Sequence, residues 1–109
     1  MFKFLLFFFL FLGSNINFAQ DIRSITGEIR DTSSKMPIAK VTLEIEGTTF
    51  ICFTDADGEF LLQTPLIGDY ILNISFTDYR IKRIPISISG QDISLGVIYL
   101  EKDFALELN

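Results

Sequence analysis

Thr54-Asp55-Ala56-Asp57-Gly58-Glu59-Phe60 places an Asp- and Gly-rich turn between two short apolar runs. Asp57-Gly58 accepts positive φ in a tight turn, and Asp side chains cap the turn's own amides. The stretch predicts a hairpin of Ile51–Thr54 with Glu59–Gln63. On either side of it a two-residue apolar period repeats. Val41, Leu43 and Ile45 alternate with Thr42, Glu44 and Glu46. After the Gly68-Asp69-Tyr70 turn, Tyr70, Leu72, Ile74 and Phe76 alternate with Ile71, Asn73, Ser75 and Thr77. Ile84, Ile86 and Ile88 alternate with Pro85, Ser87 and Ser89, and Pro85, which has no amide hydrogen, predicts an edge strand. Leu95, Val97 and Tyr99, set against Gly96, Ile98 and Leu100, make the last strand, and Ile25, Gly27 and Ile29 begin the first. About seven strands, with turn signals roughly every 8–12 residues, predict an all-β sandwich. Asp31–Lys35 reads as a long flexible loop.

The N-terminus speaks to the compartment. Lys3 gives a positive start, Phe4–Leu12 is an uninterrupted apolar run, Gly13-Ser14-Asn15 breaks it, and Ala19 precedes Gln20. That is the layout of a secretory signal peptide over residues 1–19, with cleavage before Gln20, although Asn17 stands where a small residue is usual. A retained membrane anchor is the alternative, but a spanning helix needs about 20 apolar residues and this run is about half that. No cysteine follows the apolar run, so a lipid-modified N-terminus is not expected.

The mature chain, Gln20–Asn109, has 90 residues, enough for one modest core. Seven of the twelve Phe lie in the signal segment, so the apolar character of the whole chain overstates that of the domain. Losing Lys3 moves the net charge from −5 to −6. An acidic module without a basic cluster is a poor match for nucleic acid, because phosphate binding needs Lys and Arg. Arg80, Lys82 and Arg83 read as a solvated strand end.

Cys52 is the only cysteine, so no internal disulfide forms, and within Phe50-Ile51-Cys52-Phe53 it reads as an inert buried thiol. The chain has no His, which removes the commonest metal ligand and general base. Asp55, Asp57 and Glu59 do not match a calcium loop, since Gly58 comes fourth and Leu66 occupies the twelfth position. A turn role for Asp55, Asp57 and Gly58 accounts for them, as it does for Gly68 and Tyr70. Asn73-Ile74-Ser75 matches a glycosylation sequon, taken as coincidence mid-strand. No catalytic residue, cofactor or metal site is assigned.

Ile25–Asp31, Pro37–Val41, Gly47-Thr48-Thr49, Thr54–Phe60, Gly68–Leu72, Tyr79 and Leu95–Leu100, in that order, resemble the carboxypeptidase regulatory-like domain. The resemblance covers about residues 24–101. It implies a seven-stranded transthyretin-like sandwich over residues 20–101, preceded by the signal-peptide helix and followed by a tail, 102–109. In the family the matched residues hold fold positions, with the Tyr of Gly-x-Tyr buried at a corner. They transfer no catalytic role.

Such domains stand beside metallocarboxypeptidases, at the N-terminus of TonB-dependent outer-membrane receptors, or ahead of other barrels. Phe18-Ala19-Gln20 and the tail Leu100–Leu108 resemble the receptor setting, so a truncated receptor, a fragment and a free-standing module all remain open. The expected function is a non-enzymatic, exported module, periplasmic or at the outer membrane, that binds an envelope protein. The alternative is a carbohydrate-binding sandwich. That reading is the weaker one, since the chain has no Trp, Tyr70 and Tyr99 read as core, and only Tyr79 reads as exposed. Edge strands accept added strands. The last strand, with Val97 and Tyr99, and the tail, with Phe104 and Leu106, are therefore the candidate partner contacts.

Overall fold

Alternating side chains give each strand one apolar face, and burying those faces needs two layers. The computed structural model describes residues 21–104, so the signal segment and Leu106 lie outside the described residues. Seven strands follow one another: β1 (Arg23–Asp31), β2 (Thr42–Ile45), β3 (Ile51–Phe53), β4 (Glu59–Thr64), β5 (Gly68–Ser75), β6 (Lys82–Ile88) and β7 (Ile93–Leu100). One sheet has the order β4-β1-β7, the other β3-β2-β5-β6. β1 runs antiparallel to β4 and parallel to β7, while every pair of the four-stranded sheet is antiparallel.

Ile25, Ile29, Phe60, Leu62, Ile98 and Leu100 come from the first sheet and pack against Leu43, Ile45, Leu72, Ile74, Ile86 and Ile88 of the second. Fully burying one such side chain is worth about 1.5–3 kcal/mol. Gly27 is the gap in the inward row of β1, and the Phe60 ring fills it. A Cβ on Gly27 would stand 2.7 Å from that ring. β6, carrying Pro85, is the outermost strand of its sheet.

Three local expectations are corrected. Ile51–Thr54 and Glu59–Gln63 do not form a hairpin, because β3 and β4 belong to different sheets. The Thr54 hydroxyl holds the end of β3 beside β2, donating to the Ile38 carbonyl and accepting from the Val41 amide. Gly58 is held instead to β1, its carbonyl accepting the Ile29 amide at 2.7 Å. Asp55–Gly58 is thus the corner between the two layers.

The second correction concerns β7. Thr26 faces Ser94 but Glu28 faces Val97, so β7 carries one extra residue, with Gly96 at φ 71°. The bulge reverses the phase of the strand. Ile98 and Leu100 point into the core, while Val97 and Tyr99 point out. The third concerns Asp31–Lys35, which is a tight turn. Asp31 Oδ1 accepts the Ser33 and Ser34 amides, and the Lys35 amide returns to the Asp31 carbonyl.

Candidate interaction surface

The acidic corner works inward on its own backbone. Asp55 Oδ1 accepts the amides of Asp57 and Glu59, each at 2.9 Å, and the Gly58 amide donates to the Asp55 carbonyl. Gly58 alone of these residues has positive φ, at 74°, and Asp57 is exposed. Among the described residues, no group of three or more His, Cys, Asp or Glu is placed to hold a metal. Gly68 opens β5 with φ 126°, and Tyr70 packs half-buried against the core.

Cys52 is half-buried, and burial pushes its thiol up to about 11, away from the thiolate that nucleophilic chemistry requires. Asn73 lies mid-strand in β5, opposite Glu44 on one side and Arg83 on the other. Tyr79 is half-buried, not exposed, and its hydroxyl donates to Asp31. Tyr99, read as core, is exposed, and the Lys35 ammonium lies 4.7 Å from its ring centroid.

The outer face of β4-β1-β7 carries Leu61, Val97 and Tyr99 together with Glu28, Arg30 and Glu59. Along its rows Leu61 lies beside Thr26, Glu28 lies between Glu59 and Val97, and Arg30 lies beside Tyr99. Leu61, Val97 and Tyr99 are 54%, 45% and 40% exposed, as Ile51 and Phe53 of β3 also are at 49% and 59%. Glu28 is paired with Arg30 at 2.7 Å. An open depression of about 500 Å³ lies between Leu61 and Val97, above Gly27 and Gly96. Phe104, beyond β7, is exposed.

The free edge of β7 is less open than the sequence suggests. Lys82 Nζ donates to the Tyr99 carbonyl and the Arg80 amide to the Glu101 carbonyl, while Tyr79 bridges Lys102. The segment after β5 therefore covers the end of that edge, from the Tyr99 carbonyl to Lys102. The outer-face side chains of Val97 and Tyr99 are exposed beside this edge.

Charge divides the sandwich. Between Val41 and Tyr79 there are seven acidic residues and no Lys or Arg. The basic side chains of the described residues lie on Arg23–Lys40 and Arg80–Lys102, and the Asp55–Glu59 corner between β3 and β4 is acidic. Arg83 holds Glu46 through two hydrogen bonds, which lowers the carboxyl pKa and raises that of the guanidinium. No ion pair among the described residues involves Glu44, Asp55, Asp57 or Glu59.

Sequence reasoning missed Leu61. The signal was present in Phe60-x-Leu62-x-Thr64, whose inward phase sends Leu61 outward, but the hairpin reading gave that phase no sheet to belong to.

The family model of the CarboxypepD_reg-like domain matches residues 25–109. No curated protein matches the sequence. A chain of a type II cohesin–X-dockerin complex from Acetivibrio cellulolyticus, a C-terminal interface mutant, superposes with TM-score 0.61 at 29% identity, over 72% of this chain and 56% of that one. The N-terminal interface mutant of the same complex gives 0.63 at 27%, over 73% and 58%. This chain thus spans little more than half the length of those chains. The 5-hydroxyisourate hydrolase of Klebsiella pneumoniae gives 0.53 at 23%, over 74% and 91%, a likeness of fold alone. The architecture is the transthyretin-like sandwich.

Proposed function

The chain belongs to the CarboxypepD_reg-like domain family, and from that membership we propose that it is a non-enzymatic, exported module of the cell envelope that binds another polypeptide. It resembles the N-terminal extension of an outer-membrane receptor. The observation that carries the reading is the bulge at Gly96, which turns Val97 and Tyr99 away from the core and toward solvent beside Leu61. Exposed apolar groups on one face cost solubility unless a partner uses them. The similar chains from Acetivibrio cellulolyticus come from a complex between proteins, which favours the same kind of work here. The export half rests on Lys3, the Phe4–Leu12 run and Ala19.

Export is tested by expressing the full chain in its host and sequencing the N-terminus of the product. The expected product begins at Gln20 and lies outside the cytoplasm. An intact Met1 in the membrane fraction would favour the anchor, and an intact cytoplasmic chain would overturn export.

A further inference from the structure

We propose that the free edge of β4 docks an extended, basic segment of another polypeptide, with one Lys or Arg side chain lying along Leu61 and its charged head at Glu59. The inference rests on the partner-binding role above and names the chemistry of the partner.

The edges of the sandwich are unequal. β3 is three residues long, β6 carries Pro85, and the end of β7 is covered at Tyr99 by Lys82 and just past it at Glu101 by Arg80. These are the usual devices that blunt a sheet edge. β4 is six residues long, outermost in its sheet, and has neither Pro nor Lys; the Asp55 corner takes its edge only at Glu59, whose carbonyl accepts the Asp55 amide and whose amide donates to Asp55 Oδ1. The Ile29 amide bonds the Gly58 carbonyl, and the same register continues through Gly27 with Phe60 and Ile25 with Leu62. By the alternation of antiparallel pairing, Leu61 and Gln63 turn their peptide groups away from β1, toward an added strand.

Charge selects the occupant. The depression is walled by Leu61 and Val97 and rimmed by Glu28, Asp55 and Glu59. Glu28 already holds Arg30, and Asp55 holds its own turn amides. Glu59 has no ion-pair partner among the described residues. A long cationic side chain on the outer face of an added strand stands next to both Leu61 and Glu59, its stem on the first and its head at the carboxylate of the second. A second copy fits poorly. Its own β4 is acidic at the corner, and its Arg83 and Lys82 are engaged with Glu46 and the Tyr99 carbonyl.

The test is a titration of the exported protein with a short peptide of alternating Lys and Thr, and with its Glu–Thr counterpart, followed by amide NMR. The Lys–Thr peptide should bind and shift Leu61 and Gln63, and the Glu–Thr peptide should not. E59K should weaken binding about tenfold or more, and E59Q by less, while E44K on the other sheet should leave it unchanged. Glu59 is exposed, so dispersed spectra of both variants are expected and verify their fold in the same experiment. Equal binding of the two peptides, shifts confined to other strands, or equal losses in E59K and E44K would overturn the proposal. A partner captured in cells that ignores E59K would sink this inference and leave the binding role standing. Peptide binding at β4 with no cellular partner would do the reverse.

Discussion

The Tyr79 hydroxyl donates to Asp31 Oδ2 over 2.5 Å, joining two turns 48 positions apart. This bond first, and then the Ser34 and Ser33 amides, hold the Asp31 carboxyl down from 3.8 to about 2. A carboxyl with a lowered folded pKa stabilises the fold fully above 3.8 and loses that contribution as the pH falls toward 2. Urea midpoints should therefore drop through this acid window. In Y79F the Asp31 pKa should rise toward 3.8 and the acid loss attributable to it should shrink. An Asp31 titration unchanged in Y79F would contradict the account.

Gly58 is required by two constraints at once. Its φ is 74°, and a Cβ there would stand 2.5 Å from the Ile29 carbonyl oxygen. G58V should cost about 1 kcal/mol or more in urea unfolding. D55N should cost much less, because an amide oxygen still caps the corner. Calcium that stabilised the wild type but not D57A would show that the corner is a metal site.

Thr54 is buried, and its hydroxyl satisfies both the Ile38 carbonyl and the Val41 amide. T54V keeps the shape and leaves both groups without that partner. The expected loss is about 1–3 kcal/mol, with an unchanged denaturant slope. A loss near zero would mean that water replaces the hydroxyl.

Cys52 should be slow to react with iodoacetamide at neutral pH in the folded protein, since burial raises its thiol to about 11. Unfolding in urea should restore the rate of a free thiol. Fast modification without unfolding would place Cys52 in a more open site than this packing allows.

The strands with a buried face and a wet face were legible because a two-residue period is a local property. β2, β5 and β6 keep their apolar phase from end to end, and Pro85 marks the outer strand. The failures fall where structure depends on non-local pairing. The phase of β7 changes at a bulge set by its register with β1, so Tyr99 looks like core and is surface. The β3–β4 corner looks like a hairpin because a local turn, capped by Asp55, serves both a hairpin and a crossing between sheets. Asp31–Lys35 is an exception, since Asp31 Oδ1 and the Ser33 and Ser34 amides close it locally and only the Tyr79 bond to Oδ2 comes from far along the chain. The surface that carries the functional reading depends on all three.

The most direct test of that reading is site-specific photo-crosslinking in the host cell, with a photoreactive residue at Val97 or Tyr99, and at Ser87 on the other sheet as the control. The account predicts a discrete adduct with another polypeptide in the envelope fraction from the first two positions and none from Ser87. No adduct from Val97 and Tyr99, or the same adducts from all three positions, would contradict it.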